Sequence, residues 1–100
     1  MVAARAPQEE LRAVMLDMMS RRGFLLGMYS RTTGNHFEVW VVTQPLTLDD
    51  ERSVYALAGQ LRDRFPDLAF DLHLEHAGMY ENGNPFDAVP LDAERFQPPV

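Results

Sequence analysis

The chain has 100 residues, a length that supports one hydrophobic core and therefore a single domain over residues 1–100. Hydrophobic residues make up 46% of it and the formal net charge is -6, so the composition is that of a folded globular domain and the charge disfavours nucleic acid and anionic membranes as partners. The chain has no cysteine, which excludes a disulfide scaffold, a thiol nucleophile and a cysteine-ligated metal site. Without a membrane-length apolar run or a signal-peptide pattern, we expect a cytoplasmic protein with no membrane partner.

An apolar stripe near the start of the chain predicts a helix over residues 8–22. The stripe recurs at the spacing of one helical face, through Leu11, Val14, Met15, Met18 and Met19. Two apolar runs follow and predict strands over residues 24–30 and 36–43, joined by a polar loop that contains Gly34. Alternation in the second run places Phe37 and Val39 on one face of the sheet and Trp40 on the other.

A second helix is predicted over residues 48–64. Thr47 and Asp50 have the spacing of a capping box, and Pro66 ends the helical pattern. The alternating run over residues 68–75 then predicts a third strand, and the proline- and glycine-rich residues 79–100 predict mostly irregular chain.

The element order therefore predicts an α+β fold, αββαβ. We expect a three-stranded mixed sheet in the order 1-2-3, because a helical crossover of this length favours parallel pairing of the second and third strands. Only one face of each alternating strand is apolar, so both helices are expected on that face. The other face is expected to be uncovered and to carry polar and aromatic residues: His36, Glu38, Trp40, Asp71, His73 and Glu75.

Two His-x-Glu pairs on that face suggest a divalent metal site. His36 with Glu38, and His73 with Glu75, each place an imidazole and a carboxylate on one side of a strand, and Asp71 lies on the same face. Imidazole and carboxylate ligands suit zinc, manganese or iron. The alternative interpretation is that these are solvated residues near arginines. His76 is interpreted as a loop histidine.

The segment Leu26–Trp40 resembles the signature region of minimal nucleotidyltransferases, in which a turn and an Arg-x-x-Gly-like loop lead to a strand bearing two carboxylates. The crossover helix and the carboxylate of Asp71 follow in the order that this family shows. The family's two carboxylates hold a pair of magnesium ions about 4 Å apart. Glu38 matches the first carboxylate, but Trp40 fills the second position and Met28 replaces a serine that helps to hold the triphosphate. The resemblance thus implies a degenerate relative without two-metal catalysis.

The same element order also resembles the cytoplasmic domains of cation-efflux transporters. Their last strand carries a His-x-Glu pair that His73-Leu74-Glu75 matches. Their other metal-binding histidine, near the start of the crossover helix, has no counterpart in residues 49–53. This resemblance implies metal sensing.

Trp40 suggests an interaction surface, because a large indole ring on an open sheet face would be exposed to water unless another segment or chain packed against it. Tyr29 or the C-terminal segment is one candidate cover, and a second copy of the chain is another, since aromatic residues are enriched at interface centres. We therefore predict a non-catalytic binding or interaction module that forms a homodimer or binds a protein partner through the sheet face or the C-terminal segment. The predicted interface residues are Tyr29, Arg31, Trp40, Tyr80 and Phe86. The alternative is a metal-binding sensor or metal-dependent hydrolytic domain. We expect no cofactor for the binding module and a divalent metal for the alternative.

Overall fold

The computed structural model describes residues 7–34, 36–76 and 84–96. In these ranges the elements are α1 (Pro7–Ser20), β1 (Leu25–Thr33), β2 (His36–Thr43), α2 (Leu48–Arg64), β3 (Phe70–His76), a 3₁₀ helix (Pro85–Ala88) and β4 (Glu94–Arg95). They form an α+β fold with a mixed sheet, as the sequence predicts. None of the helices in this described part of the chain is both long and apolar enough to span a membrane.

The sheet is four-stranded in these residues, with the order β3-β2-β1-β4. β1 is antiparallel to both β2 and β4, and β2 is parallel to β3 across the α2 crossover. The predicted neighbours are therefore correct, but the prediction of three strands misses β4. That strand has two residues, with Arg95 opposite Tyr29, and a strand of two residues has no alternation that a sequence pattern could show.

The predicted bounds of β2 and α2 agree with the structure, whereas those of the other elements shift. β1 continues through the polar residues Arg31 and Thr33 because they pair with β2 as far as His36. The polar loop predicted for residues 31–35 is correspondingly shorter, and Gly34 adopts a positive φ of 62° in the turn. α1 ends at Ser20 rather than at residue 22, and β3 begins at Phe70 and ends at His76.

The predicted capping box begins α2. The Asp50 N–H donates to Thr47 Oγ1 over 3.1 Å, and the Thr47 N–H donates to Asp50 Oδ2 over 3.4 Å. Two N–H groups that the helix itself leaves unpaired are thereby satisfied.

Both helices pack against the same face of the sheet. The core joins α1, the sheet and α2 in one cluster, whose fully or nearly fully buried members include Leu11, Met15, Met19, Phe37, Val39, Val41, Val54, Leu57, Leu61, Phe70 and Leu74. The predicted phase of the strands is therefore confirmed, since Phe37 and Val39 lie under the helices. Trp40 belongs to the opposite face, which we call the second face.

Candidate functional site

The second face is covered at one end by the chain's own C-terminal segment. The 3₁₀ helix packs against β2 and β3, and the ring of Phe86 meets the ring of Tyr29 edge-to-face, with centroids 6.2 Å apart. Val42 is 0% exposed and Trp40 only 5% exposed. The expectation of an uncovered second face is therefore wrong at this end, because its apolar residues have a covering segment within the same chain.

The other end of the second face carries a group of charged and imidazole side chains, which we call the acid–imidazole cluster. Its members are Arg31, His36, Glu38, Asp71 and His73. The sheet register brings them together, since Glu38 lies between Arg31 on β1 and Asp71 on β3. The cluster thus spans three strands.

Glu38 is the centre of this cluster. Arg31 donates to Glu38 Oε2 from Nε over 3.2 Å and from Nη2 over 2.8 Å. These hydrogen bonds lower the pKa of Glu38 below its ordinary value. The same bonds, together with one from Arg31 Nη1 to Asp92 Oδ1 over 3.2 Å, raise the pKa of Arg31. Glu38 is therefore held as a carboxylate at neutral pH.

The two histidines of the cluster lie on either side of Glu38 but have different partners. His36 Nε2 lies 2.8 Å from Asp71 Oδ2 and 4.0 Å from Glu38 Oε1. His73 Nε2 lies 3.6 Å from Glu38 Oε1, and this nitrogen is buried without a hydrogen-bond partner. The His73 ring instead stacks on the indole of Trp40, with centroids 4.9 Å apart. His73 therefore packs against Trp40.

Four of the five predicted metal ligands meet in this cluster. Glu75 lies farther along β3, opposite Val42. Within the described residues, no group of three or more histidine, aspartate or glutamate side chains is arranged to hold a metal ion, and one oxygen of Glu38 is already bonded to Arg31. Metal binding stays a prediction, which thermal denaturation with and without zinc in wild type and His73→Ala would test.

Four of the five predicted interface residues also lie on the second face or against it. Tyr29 contacts Phe86, and the guanidinium of Arg31 lies 5.5 Å from the ring centroid of Trp40. Tyr80 lies outside the described residues. The four described residues therefore contact one another within a single chain, and an intermolecular role for them stays a prediction.

His76 has a structural role that the sequence analysis missed. It is the last residue of β3 and only 3% exposed, so its interpretation as a loop histidine is wrong. Its Nδ1 accepts from the Leu46 N–H over 3.4 Å, which leaves Nε2 to donate to Glu51 Oε1 over 2.6 Å. The sequence contains the pattern that predicts this burial, because His76 follows Leu72 and Leu74 at every second position and so lies on the face of β3 that the helices cover.

The outer edge of β3 is a second feature of functional interest. In the part of the chain that the structure describes, β3 has one neighbouring strand, β2, and lies at the end of the sheet. Its seven residues contain neither lysine nor proline, which natural proteins use to block the pairing of edge strands. Within the described residues, no strand pairs with the backbone N–H and C=O groups of β3 that point away from β2.

No protein-family model, curated protein or solved structure matches the chain. The resemblances to nucleotidyltransferases and to cation-efflux domains therefore stay predictions. What the chain binds has to be inferred from its own surfaces.

Proposed function

We propose that the protein is a non-catalytic protein-binding module whose binding surface is the outer edge of β3. The observation that carries this proposal is the position of β3 at the end of the sheet, with β2 as its only neighbouring strand in the described residues. An extended segment that adds to such an edge gains main-chain hydrogen bonds, and its alternate side chains meet those of the edge strand.

The contrast between the two sheet edges supports this assignment. On the β1 side, β4 pairs with Tyr29 and Ser30, and the Phe96 N–H donates to the Met28 carbonyl oxygen over 2.8 Å. The chain thus protects part of that edge with its own C-terminal segment. The 3₁₀ helix of this segment also packs against β2 and β3 on the second face. In the described residues, β3 is therefore the longer strand edge without a pairing strand.

The acid–imidazole cluster supports binding rather than catalysis. Glu38 is bonded to Arg31 and has a lowered pKa, which makes it a weak base near neutral pH. Trp40 occupies the position of the second carboxylate in the nucleotidyltransferase resemblance and is packed against His73. A nucleotidyltransferase-like scaffold that retains binding without two-metal catalysis is consistent with this arrangement.

The direct test is to titrate a panel of extended peptides, with alternating apolar and polar residues, into the ¹⁵N-labelled protein. We expect amide shift changes concentrated on β3. Asp71→Lys, which places a lysine at an exposed position of the edge strand, should weaken the changes, whereas Asp63→Lys makes the same substitution on the exposed face of α2 and should leave them intact. Shift changes that map to the second face, or the absence of both peptide binding and self-association, would contradict the proposal.

A further inference from the structure

We infer that the partner at the β3 edge is a second copy of this chain, paired antiparallel about a two-fold axis at Leu72. This inference rests on the proposed function and names the partner. A two-fold axis makes the interface self-complementary, so each residue of β3 has one defined opposite residue in the other copy. The polar side chains of β3 and the length of the strand together decide which residue lies on the axis.

With the axis at Leu72, Asp71 lies opposite the partner's His73, and the symmetry repeats this pair. Directly opposite side chains on one face of an antiparallel pair have Cβ atoms about 5 Å apart, and unlike groups there stabilise the pairing. Both residues lie on the second face and are partly exposed. Since Asp71 Oδ2 is already bonded to His36 and His73 Nε2 is buried, the pair across the proposed interface would form between Asp71 Oδ1 and His73 Nδ1.

The opposite face of the same pairing is apolar. Leu72 is a half-buried residue of β3 that packs against the core. On the axis it would lie opposite the partner's Leu72, and Phe70 would lie opposite the partner's Leu74. The pairing thus continues the apolar layer of one copy into the other.

Two neighbouring registers are less favourable. An axis at His73 would place Asp71 opposite the partner's Glu75 twice, and like charges in directly opposite positions destabilise a pair of strands. An axis at Leu74 would also pair an imidazole with a carboxylate, His73 with the partner's Glu75. It would, however, place Leu72 opposite the partner's His76, which is already buried and bonded to Glu51. It would also leave Phe70 and Asp71 beyond the end of the partner strand. Leu72 is therefore the favoured centre.

Exchange of the paired charges tests this register. Asp71→His would place histidine opposite histidine, and His73→Asp would place aspartate opposite aspartate, so each variant alone should self-associate about tenfold more weakly than wild type. An equimolar mixture of the two should form a heterodimer, because both cross-strand positions then pair an imidazole with a carboxylate. As controls on the exposed face of α2, Asp63→His makes the first change and Gln60→Asp introduces an aspartate as the second does. Both should leave the dissociation constant within about twofold of wild type.

A cross-linking measurement gives a second, independent readout. Because the chain has no cysteine, Leu72→Cys adds a single thiol on the proposed axis, where mild oxidation should join two copies. Leu91→Cys should remain uncrosslinked under the same conditions. This comparison does not depend on the folding of the charge variants.

The outcomes separate the inference from the proposed function. Wild-type protein that stays monomeric in sedimentation equilibrium while β3 binds peptides would overturn the second-copy inference alone. Monomeric protein without peptide binding would overturn both. A dimer that neither charge variant weakens, or that Leu72→Cys fails to cross-link, would overturn the register. The register would be supported if each single variant self-associates more weakly, the equimolar mixture forms a heterodimer, and Leu72→Cys cross-links two copies.

Discussion

Trp40 and His73 lie on adjacent parallel strands with their rings stacked, 4.9 Å between centroids and 14° between planes. The indole is buried by its own chain, beneath this imidazole and close to the guanidinium of Arg31. The second face is therefore largely an internal surface at this point. We therefore propose the edge of β3, rather than the second face, as the location of a dimer interface.

Trp40→Ala should lower stability without altering self-association. Removing a buried tryptophan costs about 3–5 kcal/mol in the free energy of unfolding, and Trp40→Phe should cost less. Urea denaturation measures the first effect and sedimentation velocity the second. The exposed Tyr55 on α2 provides the control, since Tyr55→Ala should change stability by less than about 0.5 kcal/mol. A folded Trp40→Phe variant with weakened dimerisation would place the interface on the second face instead.

The ion pair between Arg31 and Glu38 predicts a defined pH dependence of stability. Glu38 has a lowered pKa in the folded state, so its contribution is present above its ordinary pKa of 4.5 and is lost as the pH falls through the lowered value. Wild type should therefore lose stability in this acidic range relative to Glu38→Gln. Urea denaturation from pH 7 to pH 3 measures the difference between the two proteins.

Glu10→Gln on α1 is the matched control for this experiment, because Glu10 is exposed. Its stability difference from wild type should vary little with pH. A Glu38→Gln profile parallel to that of wild type would show that Arg31 does not stabilise the Glu38 carboxylate.

The stability of the protein should respond in opposite directions to a side chain added at Gly27 and at Gly59. A Cβ at Gly27 would lie 3.2 Å from the Tyr29 ring and 3.5 Å from the Phe86 ring, whereas a Cβ at Gly59 meets nothing within 4 Å. Gly59→Ala should stabilise α2 by about 0.5–1 kcal/mol, because alanine is the better helix former. Gly27→Val should destabilise the protein by about 1–3 kcal/mol through overpacking.

Thermal and urea denaturation of these two variants, side by side, tests the packing of the 3₁₀ helix on the second face. Unchanged stability in Gly27→Val would mean that Phe86 does not occupy the space beside Gly27.

His76 should be a structural residue whose loss affects the start of α2. His76→Ala removes the partner of both the Leu46 N–H and Glu51, which are part-buried, and the loss of such hydrogen bonds costs about 1 kcal/mol each. Glu51→Gln should cost less, since an amide oxygen still accepts from Nε2. Amide exchange measured by NMR should show the loosening at Leu46 and the first turn of α2. A variant His76→Ala as stable as wild type would contradict this role.

The sequence predicted those parts of the fold that depend on local pattern. The spacing of Leu11, Met15 and Met19 gave the face of α1, and the capping residues Thr47 and Asp50 gave the start of α2 within the observed bounds. The alternation of Phe37 and Val39 correctly placed these residues under the helices. Each of these features is decided within a few residues of chain.

The cover of the second face could not be predicted in the same way. Phe86 contacts Tyr29 across a long sequence separation, and β4 depends on pairing with residues far earlier in the chain. The sequence analysis named the C-terminal segment as one possible cover of Trp40, but no local pattern distinguished it from a second copy. The partners of Glu38 likewise depend on the register between three strands.

The most direct test of the account is amide hydrogen exchange of the wild-type protein, measured residue by residue below and above the concentration at which its mass doubles. We predict that dimer formation slows exchange at alternate residues of β3, because neighbouring N–H groups on a strand point to opposite edges. Exchange on the second face should be unchanged. A doubled mass with new protection around Tyr29 and Trp40, and none on β3, would contradict the claim that the β3 edge is the binding surface.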